Sequence, residues 1–428
     1  MAYIMYRNKR YNTGRSAIEL YGIKELSPKV TGETINGLPD ITKFAIPNGI
    51  TAIGNSAFSN KSSLLEVTIP DSVTSIGENA FANSTALTNI IIPDSVTSIG
   101  NAAFFGCSSF TDITIPSNVT SINGATFAYC NALTNINIPD SVTSIGDEAF
   151  KDCLVLPNIN IPDGVTSIGK EAFSECKAFT NINIPDSVTS IGENAFYNCI
   201  ALTSINIPVG VTTIEKATFD SCTALTSINI TDNVTSIGQY AFFGCSALTD
   251  VYYSGTPSEW ESITIGSNND PLTNATIHCS GGGIIIPSVT TIGDSAYRGR
   301  TDITSVIIPN SVTTIGRNAF QDCTSLTSVA IPNSVTTIDS AAFQGCTALT
   351  SITIPNNVID IYSFTFGSCT SLTSVTIPNS VTTIGSNAFY NCSAITDVYY
   401  SGSQAEWGSI TIGSNNNYLK NATIHYNS

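Results

Sequence analysis

The chain has 428 residues, 42% of them hydrophobic and only 11% charged, so apolar burial is ample and solubility rests on Ser, Thr and Asn rather than on ions. A net charge of −16 opposes a phosphate backbone and argues against nucleic acid as a partner. No apolar run reaches the roughly eighteen residues that a membrane helix requires, so no membrane insertion is expected.

Residues 1–40 read as an N-terminal hairpin or cap segment. YIMYRNKRYN has the pattern of two short strands with Asn8 and Lys9 at the turn, and it holds part of a small basic cluster (Arg7, Lys9, Arg10, Arg15). Charges interrupt the opening MAYIMYRNKRYNTGR too early for a secretory signal, so no export signal is expected. Its first dozen residues also resemble the starts of some phage tail-associated proteins.

From residue 41 one unit recurs. The prolines of successive IP pairs stand at 47, 70, 93, 116, 139, 162, 185 and 208, a spacing of 23, and Thr231 keeps the phase. A second series marks 287, 309, 332, 355 and 378, giving nine units and then five. Counted from the mark, apolar residues fall at offsets 3, 6, 10, 11, 14, 17, 20 and 22 of IPxSVTSIGxxAFxxCxxLTxIx.

Alternation at offsets 20 and 22 predicts a short strand, Val and Ile at 3 and 6 a second extended piece, and the AF pair a helical or 3₁₀ turn. One such unit cannot bury its apolar face alone, so neighbours must stack into a solenoid with in-register side-chain ladders. Pro at the mark suits a strand end. The following Asp or Asn, as in Asp71 and Asn310, suits an Asx-turn. Gly at offset 7 suggests a corner with permissive dihedrals, so rungs with Glu215 or Tyr362 there are expected to turn differently.

The unit resembles the BspA-like leucine-rich repeats, whose signature LTSITIPxSVTSIGxxAFxxC is matched by LTSINIP at 202–208 and SVTSIGENAFYNC at 187–199. The likeness covers roughly residues 41 to 400. It implies a β-rich, right-handed, arc-shaped leucine-rich repeat solenoid with a parallel sheet on its concave face. Members of that family are commonly surface adhesins or interaction proteins, and they share no catalytic residues.

Two closing modules, 250–279 and 397–426, share the pattern DVYYSG…EW…SITIGSNN…NATIH, and Trp260 and Trp407 are expected to cover the end of a ladder. Consecutive parallel rungs need a crossover of about a dozen residues, which SGGG at 280–283 cannot provide. The expected organisation is therefore a first array over 41–279, a Gly-rich junction at 280–283 and a second array over 284–428.

Eleven of twelve cysteines sit at offset 14, from Cys107 to Cys392, and a 23-residue spacing matches no zinc motif. They read as small buried thiols. The two histidines, His278 and His425, occupy one place in both closing modules and lack a nucleophile partner, which favours a structural role. One carboxylate per rung falls far short of calcium's six to eight oxygens. No cofactor, metal or catalytic residue is expected, and no enzyme.

What remains is the concave strand face, where offsets 19 and 21 point to solvent. This gives Asn135 with Asn137, Asn158 with Asn160, Asn181 with Asn183, Ser204 with Asn206 and Ser227 with Asn229, joined by Tyr252 and Tyr399 at the array ends. Amides both donate and accept, so the ladder suits a protein or glycan ligand. The expected function is non-enzymatic recognition or adhesion, including host attachment. The alternatives are an intracellular scaffold and a phage tail-associated receptor-binding component. Family resemblance points to the cell surface or a virion, and the missing export signal to the cytoplasm.

Overall fold

A computed structural model describes residues 41–427 and, ahead of them, the strands Tyr3–Tyr6, Lys9–Asn12 and Lys29–Val30. The 23-residue repeat builds a parallel-β solenoid. Each regular rung has a three- or four-residue strand such as Asn135–Asn137, a turn at Pro, a two-residue strand such as Ser144–Ile145, and a return path through AFxxC. Equivalent residues pair in register, as Ser144 with Ser167 and Ile145 with Ile168.

Contacts divide the chain into two compact units, residues 1–249 with 262–272, and 250–261 with 273–428. In the first, Tyr3–Tyr6 and Lys9–Asn12 form an antiparallel hairpin in which Tyr6 opposes Lys9. Lys9, expected at the turn, is thus a strand residue, and Asn8 lies outside the described residues. Met5 pairs antiparallel with Lys43, which occupies the outer edge of the array's leading strand. Lys29–Val30 pairs in parallel with Ala52–Ile53, one rung ahead of the first mark.

The core is a set of ladders. Phe58, Phe81, Phe104, Phe127 and their successors to Phe242 are fully buried and stack nearly face to face, with centroids 5.1 to 5.6 Å apart. In the second unit Tyr297 opens the equivalent stack against Phe320 at 5.2 Å. Each such ring contributes about 1.5–3 kcal/mol by burial. Threonine explains itself in the same way, because its hydroxyl donates to the carbonyl of the Thr one rung back, as Thr226 does to Thr203 at 3.1 Å.

Three local expectations are corrected. First, the AF segment is no helix. It is a run of turns with positive φ at offsets 9 and 13, as at Asn79 (54°) and Asn83 (58°). Its amides donate to the next rung, Phe58 N–H to Ala80 O at 2.7 Å. Among the described residues, α-helix is confined to the closing modules, at Pro257–Ser262, Asp270–Thr273, Gln404–Ser409 and Asn417–Asn421.

Second, Gly at offset 7 does not have positive φ. It is small because a Cβ on Gly169 would stand 2.5 Å from the Asp147 backbone nitrogen of the preceding rung. The rungs with Glu215 and Tyr362 keep the usual turn bond, Thr218 N–H to Glu215 O and Thr365 N–H to Tyr362 O, both at 3.4 Å. Each adds a hydroxyl bond from the same threonine to the same carbonyl, at 2.8 and 2.9 Å. Third, the Asx-turn is absent at Asp71. The Val73 N–H donates to Pro70 O at 3.0 Å instead, closing an ordinary β-turn and leaving Asp71 exposed.

The short segment at Ser280–Gly282 is a tight reversal, with Gly281 and Gly282 at φ 69° and 82°. Thr276–Cys279 and Gly283–Ile285 pair antiparallel across it, Ile277 opposite Ile285 and His278 opposite Ile284. An antiparallel pair needs no crossover, so SGGG suffices. From Gly283–Ile285 onward the rungs are again parallel, through Ser305–Ile307 to Ser328–Ala330.

Candidate functional site

Strand alternation buries Ile136, Ile159, Ile182, Ile205 and Ile228 and turns their neighbours outward. Asn135, Asn137, Asn158, Asn160, Asn181, Asn183, Ser204, Asn206 and Asn229 are exposed, and Ser227 is half-buried. They form one row per rung at the roughly 4.8 Å spacing of paired strands. Asn135 lies opposite Asp112, Ser204 opposite Ser227, and Asn206 opposite Asn229. The Asn229 amide donates to Asn206 Oδ1 at 2.6 Å, so this part of the ladder is tied rung to rung.

The middle of the row is less regular, and Pro157 lies within it. It has no N–H to offer the Thr134 carbonyl, the bond that threonine makes at this offset elsewhere. The next rung's bond, Thr180 N–H to Pro157 O, is long at 3.4 Å, against 2.9 Å from Thr134 to Thr111. Around this proline the strands contract to isolated bridges, Asn160 with Asn183 and Asn181 with Ser204.

Tyr252 and Tyr399 lie on the same strand phase in the two closing modules and remain 48% and 47% exposed. Neither stands alone. Tyr252 stacks on His278 at 4.8 Å, and His278 Nε2 lies 2.7 Å from Asp250 Oδ1. Tyr399, His425 and Asp397 repeat this arrangement at 4.7 and 2.7 Å. The aspartates were missed in the sequence, although D…H at a spacing of 28 recurs in both modules. The His425 and Thr396 hydrogen bonds hold the Asp397 carboxyl below its ordinary range. The result is a braced aromatic face.

Beside Tyr252 and His278 opens a recess of about 340 Å³ that also includes Arg300 and Asp302. Arg300 grips Asp302 through Nε and a terminal nitrogen at 2.7 and 2.6 Å, which holds that carboxyl down to about 2. On the turn side, a recess of about 320 Å³ is lined by Lys151, Glu171 and Tyr197 among others. Its charges are already paired, Lys151 with Glu171 at 2.6 Å.

The twelve cysteines are free and buried. Ladder thiols donate to the Phe carbonyl of the preceding rung, Cys176 to Phe150 at 3.2 Å. In one of the three rungs without a cysteine, the Ser84 hydroxyl makes the same bond to Phe58 at 2.8 Å. Burial pushes the Cys107 thiol up to about 12, far from a reactive thiolate. Among the described residues no three His, Cys, Asp or Glu converge as metal ligands.

Another pair of residues escaped the sequence reading. Asn269 and Asn416, the second Asn of GSNN in each closing module, are 3% and 0% exposed. Asn269 Oδ1 accepts the Phe242 N–H at 2.9 Å, and its Nδ2 donates to the Gly238 and Gly266 carbonyls. One side-chain amide thus supplies what the next rung's backbone would have supplied. Each tryptophan meets a buried tyrosine of the closing module edge to face at 5.2 Å, Trp260 with Tyr253 and Trp407 with Tyr400.

The model of the BspA type leucine-rich repeat region, in six copies, matches residues 33–157, 143–265 and 282–420. The chain belongs to the BspA-type leucine-rich repeat family. Among solved structures it is similar to a leucine-rich repeat protein from Bacteroides ovatus, at 26% identity and TM-score 0.50, over 100% of this chain and 91% of that one. It is also similar to a leucine-rich cell surface protein from Faecalibacterium prausnitzii, at 31% identity and TM-score 0.31, over 87% of this chain and 92% of that one. No curated protein matches the chain. In this BspA-type chain the repeat signature is spent on the ladders, and the exposed strand residues are the part free to vary.

Proposed function

We propose that this BspA-type protein is a non-enzymatic recognition protein that binds a protein or glycan ligand along its exposed strand face. The observation that carries this reading is the exposed row from Asn135 to Asn229. It offers donors and acceptors at one fixed spacing, and it needs no catalytic group. An ordered row loses little side-chain freedom on binding, and Asn206 with Asn229 is already tied. Tyr252 and Tyr399, braced by His278 and His425, add flat faces for a sugar ring or an aromatic side chain.

The test is a glycan and matrix-protein binding screen, repeated with Asn135→Ala, Asn158→Ala and Asn181→Ala combined. Three lost hydrogen bonds at about 0.5–1.5 kcal/mol each weaken binding by about tenfold or more. Melting temperature stays close to that of the parent, because these side chains are exposed. Binding that survives all three changes moves the site off this face.

A further inference from the structure

The recess beside Tyr252 and His278 is built by the reversal at Ser280–Gly282. Gly281 and Gly282, at φ 69° and 82°, return the chain so that Gly283–Ile285 lies along Thr276–Cys279. The segment after Arg300 then closes onto the reversal. Thr304 N–H donates to Gly282 O at 2.8 Å, and the Thr304 hydroxyl donates to Gly281 O. A Cβ on Gly282 would stand 2.3 Å from Asp302 O, so only glycine admits this approach. On the same rung Tyr297 is joined to Thr276 by a side-chain hydrogen bond. Tyr252, His278, Ile284, Arg300 and Asp302 are thereby held around one opening of about 340 Å³.

Two kinds of chemistry meet in it. One is a flat wall, Tyr252 stacked on His278 at 4.8 Å with planes 17° apart. It is fixed by His278 Nε2 at 2.7 Å from Asp250 Oδ1, and because a carboxylate only accepts, Nε2 carries the proton and a neutral ring keeps Nδ1 as an acceptor. The other is a preset pair of donor and acceptor. Arg300 spends Nε and one terminal nitrogen on Asp302, and among the described residues nothing takes its second terminal nitrogen. The Asp302 carboxylate, able to accept about four bonds, takes two from Arg300 and one from its own N–H. Both side chains remain reachable, at 41% and 64% exposed.

Charge narrows the ligand. Asp302 already balances Arg300, and Asp250 adds a carboxylate behind His278, so an anion finds no surplus positive charge. Both carboxylates are engaged, and among the described residues no three ligating groups converge, so a metal ion finds no cage. The volume is near the small end of ligand pockets and suits a mono- or disaccharide. A sugar ring carries an apolar C–H face for an aromatic wall and, on its rim, hydroxyls that both donate and accept.

We propose that this recess is a subsite for a neutral pyranoside, with the Tyr252–His278 wall against the C–H face of the sugar and Arg300 and Asp302 bonding two adjacent hydroxyls. The inference rests on the recognition reading at its Tyr252 end and names the ligand there as carbohydrate. The mutual grip of Arg300 and Asp302 fixes both side chains beforehand, which lowers the cost of ordering them on binding.

The probes are the methyl pyranosides of glucose, galactose, mannose and N-acetylglucosamine, titrated into the full chain and read by saturation-transfer NMR. Saturable binding of at least one is expected, with transfer strongest to its ring C–H protons. Arg300→Ala and Asp302→Asn each weaken it by about tenfold or more. Melting temperature is kept, because both side chains are partly exposed. Combined Asn135→Ala, Asn158→Ala and Asn181→Ala leaves it unchanged. In a test that needs no protein variant, deoxy analogues lacking either of two adjacent hydroxyls bind about tenfold more weakly or worse, whereas the other deoxy analogues do not. Failure of all four probes to bind saturably overturns the proposal, as does binding indifferent to Arg300→Ala. Competition by inorganic phosphate or a requirement for calcium makes this an ion site and equally overturns it. A glycoside lost with the three asparagine changes but not with Arg300→Ala leaves the strand-face reading standing and removes the recess from it.

Discussion

The side-chain amide of Asn416 completes the turn ladder beyond Phe389. Its Oδ1 accepts the Phe389 N–H at 2.9 Å, and its Nδ2 donates to the Gly385 and Gly413 carbonyls at 3.0 and 3.1 Å. Asn416→Leu leaves the Phe389 N–H and the Gly413 carbonyl without these partners at a buried site, while Gly385 keeps the Ala388 N–H at 3.2 Å, and the loss costs about 1–3 kcal/mol or more. Asn416→Asp is expected to be at least as harmful, since a carboxylate oxygen then faces two carbonyls. Hydrogen exchange localises the damage, with the Phe389 amide losing protection first.

The thiol ladder makes a different prediction. Cys176→Ser keeps a donor to the Phe150 carbonyl, as Ser84 already does for Phe58, and should cost less than Cys176→Val, which removes one of the two bonds that this carbonyl accepts, at about 0.5–1.5 kcal/mol, and leaves it the Cys153 N–H at 3.1 Å. Urea melts of the two variants compare them directly. A valine variant as stable as the serine one would remove the thiol bond from the account.

A Cβ added to a glycine at offset 7 should cost most where the backbone of the preceding rung comes closest. An added Cβ at Gly169 meets the Asp147 backbone nitrogen at 2.5 Å, whereas at Gly293 nothing lies within 4 Å. Gly169→Ala is expected to destabilise by about 1–3 kcal/mol through overpacking against backbone, and Gly293→Ala to be close to neutral. Thermal melts give the comparison.

Alkaline pH should weaken the fold through the same cysteines. Burial raises the folded thiols, to about 12 at Cys107, Cys245 and Cys392, while an unfolded thiol titrates near about 8.5. Above that lower value the unfolded chain releases protons that the folded chain retains, so stability falls as pH rises toward about 12. Below it the thiols contribute no pH dependence. Replacing Cys130, Cys153, Cys176 and Cys199 together by Ser should flatten the decline in melting temperature above pH about 9.

The ladders were legible because a strict period forces each buried offset to meet its own copy, so Phe81 could be placed on Phe58 from spacing alone. Gly77 and Gly100 were read for the wrong reason, since sequence cannot distinguish a left-handed dihedral from a close approach by the preceding rung. Asn269 stayed hidden among the polar letters of GSNN, because two of its three partners, Phe242 and Gly238, lie 27 and 31 positions back. The antiparallel return at Ser280–Gly282 was not foreseen, because only parallel continuation was weighed against so short a link. The outward face was visible as a set of offsets, but the braces on Tyr252 and Tyr399 depend on pairing across the module, which periodicity does not encode.

Among the described residues the regular rungs bond through the same offsets, with Thr, Cys and the turn amides addressing the adjacent copy. Removing or inserting one whole unit therefore joins two surfaces that already fit, as the verbatim IPDSVTSIG at 69–77, 92–100, 138–146 and 184–192 would permit. A gene carrying such near-identical segments can change its unit number by unequal recombination without inventing a contact. The face it presents can then lengthen, shorten or reshuffle its exposed letters while the scaffold stays intact.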